Sequence, residues 1–329
     1  MIEKSKSSCE TDAAGSAALF DRSLLRARRR RVAAKAEAHD FLLARVADDL
    51  ADRLSLIKRE FSVGANIGAH HGLLSRKLRQ LPNVGYLIDL EPVPELLVRC
   101  DGPCVLADEE LLPFADGSLD LAVSGLALQM VNDLPGVLIQ IRRALKPDGL
   151  LLASLLGGET LGQLGAAWLA ADAETTGGAA PRVAPAIDLK DLGALLQRAG
   201  FALPVVDSDV VEVAYPSLLA LIREIQGMGA SNFLSARSRR ITRRDTLARA
   251  CDIYRERYAR EDGRVVATFE ILTVTAWAPD PSQQKPLKPG SAAMRLADAL
   301  GTWDGRLGIE DALKPPGGSS RNDEPTGKS

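Results

Sequence analysis

Asn66-Ile67-Gly68-Ala69-His70-His71-Gly72 forms a small-residue turn between a short apolar run and a helical stretch, and its reading decides the fold. Small residues let backbone approach a ligand closely, and the next two apolar runs close on acids, Asp89 and Asp108. An acid roughly 20 positions beyond such a turn can hydrogen-bond ribose hydroxyls, so the layout points to a nucleotide-type cofactor at the carboxyl ends of parallel strands. His70 stands where a second glycine is expected, so the surrounding sequence must carry part of the reading.

Apolar runs over 61–67, 84–89, 104–108, 119–124 and 149–156 alternate with stretches mostly long enough for crossover helices. That alternation predicts an α/β chain, a mostly parallel sheet with helices on both faces. Lys146-Pro147-Asp148-Gly149 reads as a turn that ends a helix over 131–145 and launches the next strand. Upstream, the arginine block 26–31 opens a helical region continuing over 40–54, with Phe41, Leu42, Val46, Leu50 and Leu54 at helical spacing. The block itself reads as a solvated helix face, with a surface for an anionic partner as the sharper alternative.

Further along, a helix is expected over 160–173, a loop over 176–185 and a helix capped by Asp188 that ends at Gly200. A strand in 205–215, an amphipathic helix capped by Ser217 and stopping at 227–229, and a late strand over 265–277 complete the pattern. Residues 1–17 and 280–329 are polar and poor in apolar periodicity, apart from a short helical stretch over 292–300, and are expected to be disordered. The folded domain is expected over 18–279.

With 46% hydrophobic residues among 329, the chain can bury a sizeable core, and a formal charge of −2 gives no general pull toward nucleic acid. Cys9, Cys100, Cys104 and Cys251 form no C-x-x-C pair and fit reduced thiols, and His39, His70 and His71 are too few for a histidine-rich metal centre. No metal site is expected. No apolar run approaches the roughly 20 residues of a membrane span. Glu3, Glu10 and Asp12 are unlike a secretory or transit signal, so a cytoplasmic location is expected.

Seven-stranded folds that hold S-adenosylmethionine place a glycine-rich loop after the first strand and acids after the second and third. Asn66, Gly68 and Gly72 fill the loop, Asp89 would accept from the ribose, and Asp108 with Glu109 would face the adenine amine. Each lone acid could equally be a turn former or helix cap. Ser124, Gln129 and Asn132 follow the fourth strand, where a transferred group would meet its acceptor. No Ser-His-Asp or Cys-His set suggests itself, and no catalytic residue is assigned.

The strings LADEELLPF (106–114), LDLAVSGLALQMVNDLP (119–135), LKPDG (145–149) and GGETL (157–161) resemble the mitochondrial complex I assembly factor 5 family and its bacterial relatives, often labelled as relatives of the biotin-synthesis methyltransferase. LFDRSLLRARRRR (19–31), DLGALLQRAGF (191–201), YPSLLALIREIQGMGASN (215–232) and YRERYAREDGRVVATFEILTVTAW (254–277) fit the same family. The resemblance implies a Rossmann-like, class I S-adenosylmethionine-dependent methyltransferase fold with a seven-stranded sheet, S-adenosylmethionine as cofactor, and a role in maturing respiratory complex I. Within the family, Asn66 replaces an aspartate, Ala69-His70-His71 replaces a C-G-R type core, and Gln129-Met130 replaces His-Trp.

The leading expectation is a methyltransferase-type enzyme acting on a protein side chain of a complex I subunit. Methyl transfer needs mainly alignment and removal of water, so a site without an evident base is no objection. Hydroxylation of an arginine on the same fold is the nearest alternative, carried by the resemblance alone. A non-catalytic assembly chaperone, holding its client through 26–31 or 226–232, is the third. Any membrane docking is expected to be peripheral and through the client.

Overall fold

The computed structural model describes residues 18–283, so the expectations for 1–17 and for 284–329 lie outside the described residues. The chain enters through helix α1 (Arg22–Val32), a 3₁₀ stretch (Ala33–His39) and α2 (Phe41–Ser55). Strand β1 (Phe61–Ile67), α3 (Leu73–Leu78), β2 (Val84–Leu90), α4 (Pro94–Leu97), β3 (Cys104–Val105) and β4 (Leu119–Gly125) follow. Then come α5 (Leu134–Ala144), β5 (Leu145–Leu156), α6 (Gly162–Thr176), α7 (Leu189–Arg198), β6 (Ala202–Tyr215), α8 (Leu218–Gly227), α9 (Arg244–Tyr258) and β7 (Val265–Trp277).

The strands form one seven-stranded sheet in the order β3-β2-β1-β4-β5-β7-β6. The pairs from β3 through β5 are parallel, whereas β7 runs antiparallel between β5 and β6. Order reverses between β1 and β4, which opens a crevice at their carboxyl ends, the ligand position of open α/β sheets.

Side-chain alternation along the central strands feeds two cores. Leu121, Val123, Leu150 and Leu152 pack with Leu50 and Leu54 of α2 and Ile253 of α9, while Ala122, Leu151 and Ala153 pack with Ile141 of α5 and Leu192 and Leu196 of α7. Each fully buried leucine contributes roughly 1.5–3 kcal/mol. Side-chain caps start the helices. Asp188 accepts from Asp191 N–H and Ser217 from Ala220 N–H, as the sequence suggests, and Asp133, inside the helix expected over 131–145, accepts from Gly136 N–H and starts α5 at Leu134.

Three readings change. Lys146-Pro147-Asp148-Gly149 is absorbed into β5, which starts at Leu145 and pairs with Leu119 before a register shift; Asp148 takes φ 59° inside it. Strand β3 stops at Val105, leaving 106–108 as a loop at the sheet edge. Helix α9 goes unanticipated because its arginines mask the inward face formed by Thr246, Ala250, Ile253 and Tyr254. Among the described residues, no helix is long and apolar enough to cross a membrane.

Candidate cofactor and acceptor site

The turn after β1 is held by the sheet itself. Gly68 and Ala69 N–H groups both donate to the Leu90 carbonyl at 2.9 Å, which ties the loop to the end of β2. Gly68 has φ 72°, and a Cβ there would lie 2.2 Å from Ala127 Cβ, so the turn requires glycine. Gly72 has φ 77° with Cys100 Cα 3.1 Å from where its Cβ would be. His70 adopts φ 55°, the left-handed conformation that the expected glycine would have taken without strain.

Asp89 is not at the strand tip. It pairs in register with Asn66 inside the sheet, has no solvent exposure, and both its oxygens are taken. Arg79 Nη2 donates to Oδ2 at 2.6 Å, while Asn66 Nδ2 at 3.0 Å and the Ser75 hydroxyl donate to Oδ1. Asn66 also donates to Ser75 Oγ at 2.8 Å, and its own Oδ1 is buried without a partner. These two expected ligands therefore form a buried network behind the loop. Ser124 is likewise withdrawn, fully buried and donating to the Ile67 carbonyl at 2.8 Å between β4 and β1.

The acid at the tip of β2 is Glu91. One carboxylate oxygen accepts the His70 N–H at 2.9 Å and lies 3.4 Å from Arg29 Nη2; the other accepts Val93 N–H at 3.1 Å. Burial raises its pKa to about 7, opposed by Arg29 and reinforced by Glu109. The signal for Glu91 was present in the sequence: Pro94 opens α4, so the strand must finish a few residues earlier and leave Glu91 in the connection.

Asp108 and Glu109 lie in the connection after β3, where arginines of α1 meet them. Arg22 Nη2 bonds Asp108 Oδ1 at 2.6 Å and also Glu109, Arg26 holds Asp108 Oδ2 at 2.7 Å, and Arg29 Nη1 lies 3.7 Å from Glu109. The solvated-face reading of residues 26–31 is thus corrected most plainly at Arg29. Arg29 is 5% exposed and Arg26 is paired, because three acids converge at the β2 and β3 tips and must be neutralised when desolvated.

Beyond β4 lies a cavity of about 280 Å³, walled by apolar side chains such as Leu164, Trp168, Ile222, Met228 and Phe269. Gln129 lines it; the amide nitrogen is spent on the Leu126 carbonyl at 2.7 Å, and Oε1 is buried with no partner. Met130 also lines the cavity, and its carbonyl accepts from Arg22 Nη1 at 3.0 Å. One guanidinium therefore links the acid cluster to the cavity wall. Asn132 serves architecture instead, exchanging hydrogen bonds of 2.7 and 3.2 Å with the backbone of Phe20. Among the described residues, no group of three or more His, Cys, Asp and Glu is placed to hold a metal ion.

Residues 65–153 match the family model described as a methyltransferase domain. Over 287 residues the chain is 39% identical to the mitochondrial arginine-hydroxylase NDUFAF5 of Danio rerio, covering 85% of this chain and 89% of that protein. The chain belongs to the NDUFAF5 family. The human member is 36% identical over 310 residues, covering 92% of this chain and 87% of its own length. A malonyl-[acyl-carrier protein] O-methyltransferase of Laribacter hongkongensis is 33% identical, with 82% and 94% covered. In fold the chain is similar to the YcgJ protein of Bacillus subtilis, with TM-score 0.51 and 13% identity over 71% of this chain and 98% of that one. The seven-stranded sheet with antiparallel β7 is the class I methyltransferase fold.

Proposed function

We propose that this member of the NDUFAF5 family binds S-adenosylmethionine at the tips of β1 to β4 and modifies a polypeptide side chain during assembly of respiratory complex I. The observation that carries the reading is the junction at Arg22, which joins the acid cluster beyond β2 and β3 to the wall of the apolar cavity. A cofactor site and an acceptor site need that adjacency.

The residues present suit an adenosyl group. Glu91, at the end of β2, is as buried as Asp89, but it lies beyond the strand and the oxygen that holds Val93 keeps one acceptor position, which we assign to a ribose hydroxyl. Asp108 is partly exposed and takes the adenine amine, with Arg22 and Arg26 sharing its oxygens. Gly68, with Ala127 packed against it, keeps the loop close to the crevice. Asn66, Asp89 and Ser124 support these residues from behind, and Glu109 anchors the arginine helix. Bound S-adenosylmethionine supplies an electrophilic methyl group. The protein's contribution is to align an acceptor with it and exclude water, for which the apolar walls around Gln129 are suited.

The names of the relatives at 36 to 39% identity support arginine as the acceptor residue, and they also favour a second reading in which the product carries oxygen. Mass analysis of a co-expressed client subunit separates the readings. A gain of one methylene supports methyl transfer, a gain of one oxygen supports hydroxylation, and an unmodified client would leave only a holding role.

A further inference from the structure

His70 replaces a glycine in the loop after β1, and its neighbours determine where its proton sits. Asp40 occupies the N-terminal cap position of α2 yet makes no capping bond. Its carboxylate turns to His71, with Oδ2 3.0 Å from Nε2. A carboxylate accepts, so His71 carries its proton on Nε2 and presents a bare Nδ1. That atom lies 2.7 Å from Nδ1 of His70, which must therefore be the donor. The proton of His70 is on Nδ1. Its Nε2 is left as a lone pair that makes no hydrogen bond with any described residue, on a half-buried ring.

The same loop lacks an acceptor that it would otherwise have. Position 66 is an amide whose nitrogen is committed to Asp89 and Ser75, and whose oxygen is buried behind the loop. We infer that the relay Asp40–His71–His70 fixes Nε2 of His70 as the acceptor for the amino group of the cofactor's methionine moiety. His70 is then a binding and positioning residue that replaces the missing carboxylate at position 66, and the imidazole is a ligand rather than an obstruction. Burial, with Arg29, His71 and Arg99 nearby, holds His70 well below the usual histidine pKa, so the ring is neutral and able to accept at physiological pH.

This inference rests on the cofactor reading, and the experiment separates the two. Imidazole nitrogen chemical shifts in the ¹⁵N-labelled full chain should show His70 protonated at Nδ1 and His71 at Nε2; the opposite tautomer at His70 overturns the relay. Calorimetric titration then compares S-adenosylhomocysteine with its deaminated analogue. The wild type should prefer the amino-bearing ligand by about tenfold, and His70→Gly, which also relieves the left-handed backbone, should erase that preference while keeping the affinity for the analogue. An unchanged preference, or tighter binding of both ligands by the variant, overturns the inference alone. Failure of either ligand to bind any form overturns the cofactor reading with it.

Discussion

Arg29 Nη2 lies 3.4 Å from Glu91 Oε2, with the arginine side chain 6% and the glutamate 0% exposed, so the basic helix is anchored by a charge at the tip of β2. Removing one partner leaves the other charge buried. Arg29→Met is expected to cost about 3 kcal/mol, because Glu91 and Glu109 would face each other without it. Urea denaturation checks this, with Arg30→Met as control, since the Arg30 to Glu95 pair is exposed and should cost under about 1 kcal/mol.

Glu91 also makes stability depend on pH. Its carboxyl is raised from 4.5 to about 7 in the fold, so between those values the folded state binds more protons than the unfolded one. Stability from this group therefore falls as pH rises through that window, by roughly 3 kcal/mol in all. Glu91→Gln should flatten the slope, whatever the loss of the Arg29 pair does to stability overall. Denaturation midpoints at pH 5, 6, 7 and 8 read it directly.

Asp89 is predicted to matter for folding rather than for ligand contact. Asp89→Ala strands Arg79 and Asn66 inside the protein and should lower stability by roughly 3 kcal/mol. The protein that remains folded should bind S-adenosylhomocysteine within a few-fold of wild type. A variant of normal stability with abolished binding would return the ribose role to Asp89.

Gly68→Ala should be among the most damaging single substitutions. The new methyl meets Ala127 at 2.2 Å and the backbone must hold φ 72°. A loss of about 3 kcal/mol or more is expected. Gly158→Ala, with open space around it, should change the melting temperature little.

Thiol chemistry offers an independent check on the site's burial. Cys100 lies behind the loop, where burial and then the carboxylates of Asp89 and Glu91 push its pKa up to about 12. Cys104 is exposed at the edge strand. Iodoacetamide at neutral pH should label Cys104 well before Cys100, as peptide mass mapping would show.

Much of the fold was legible because hydrophobic period and punctuation act locally. Val265–Trp277 is β-branched and bounded by polar turns, and Asp188 and Ser217 cap the helices they were expected to cap. Long-range charge pairing was less visible. No periodicity says that Arg22 folds onto Asp108 and Glu109, 86 and 87 residues away in sequence. The same limit hides how the acids at the end of β2 are used. Asp89 lies inside the strand and Glu91 just beyond it, and only the partners Arg79, Ser75 and Asn66 show that the oxygens of Asp89 are already engaged. Asp108, expected to close a strand run over 104–108, lies in the connection beyond β3.

The central claim is that an adenosyl group binds beside Glu91 at the end of β2. Calorimetric titration of the full chain with S-adenosylhomocysteine, repeated on Glu91→Gln, tests it most directly. The account predicts saturable binding by the wild type and at least about tenfold weaker binding by the variant, the loss expected for one charge-assisted hydrogen bond. Absence of saturable heat in the wild type, or equal affinity in the two proteins, would contradict it.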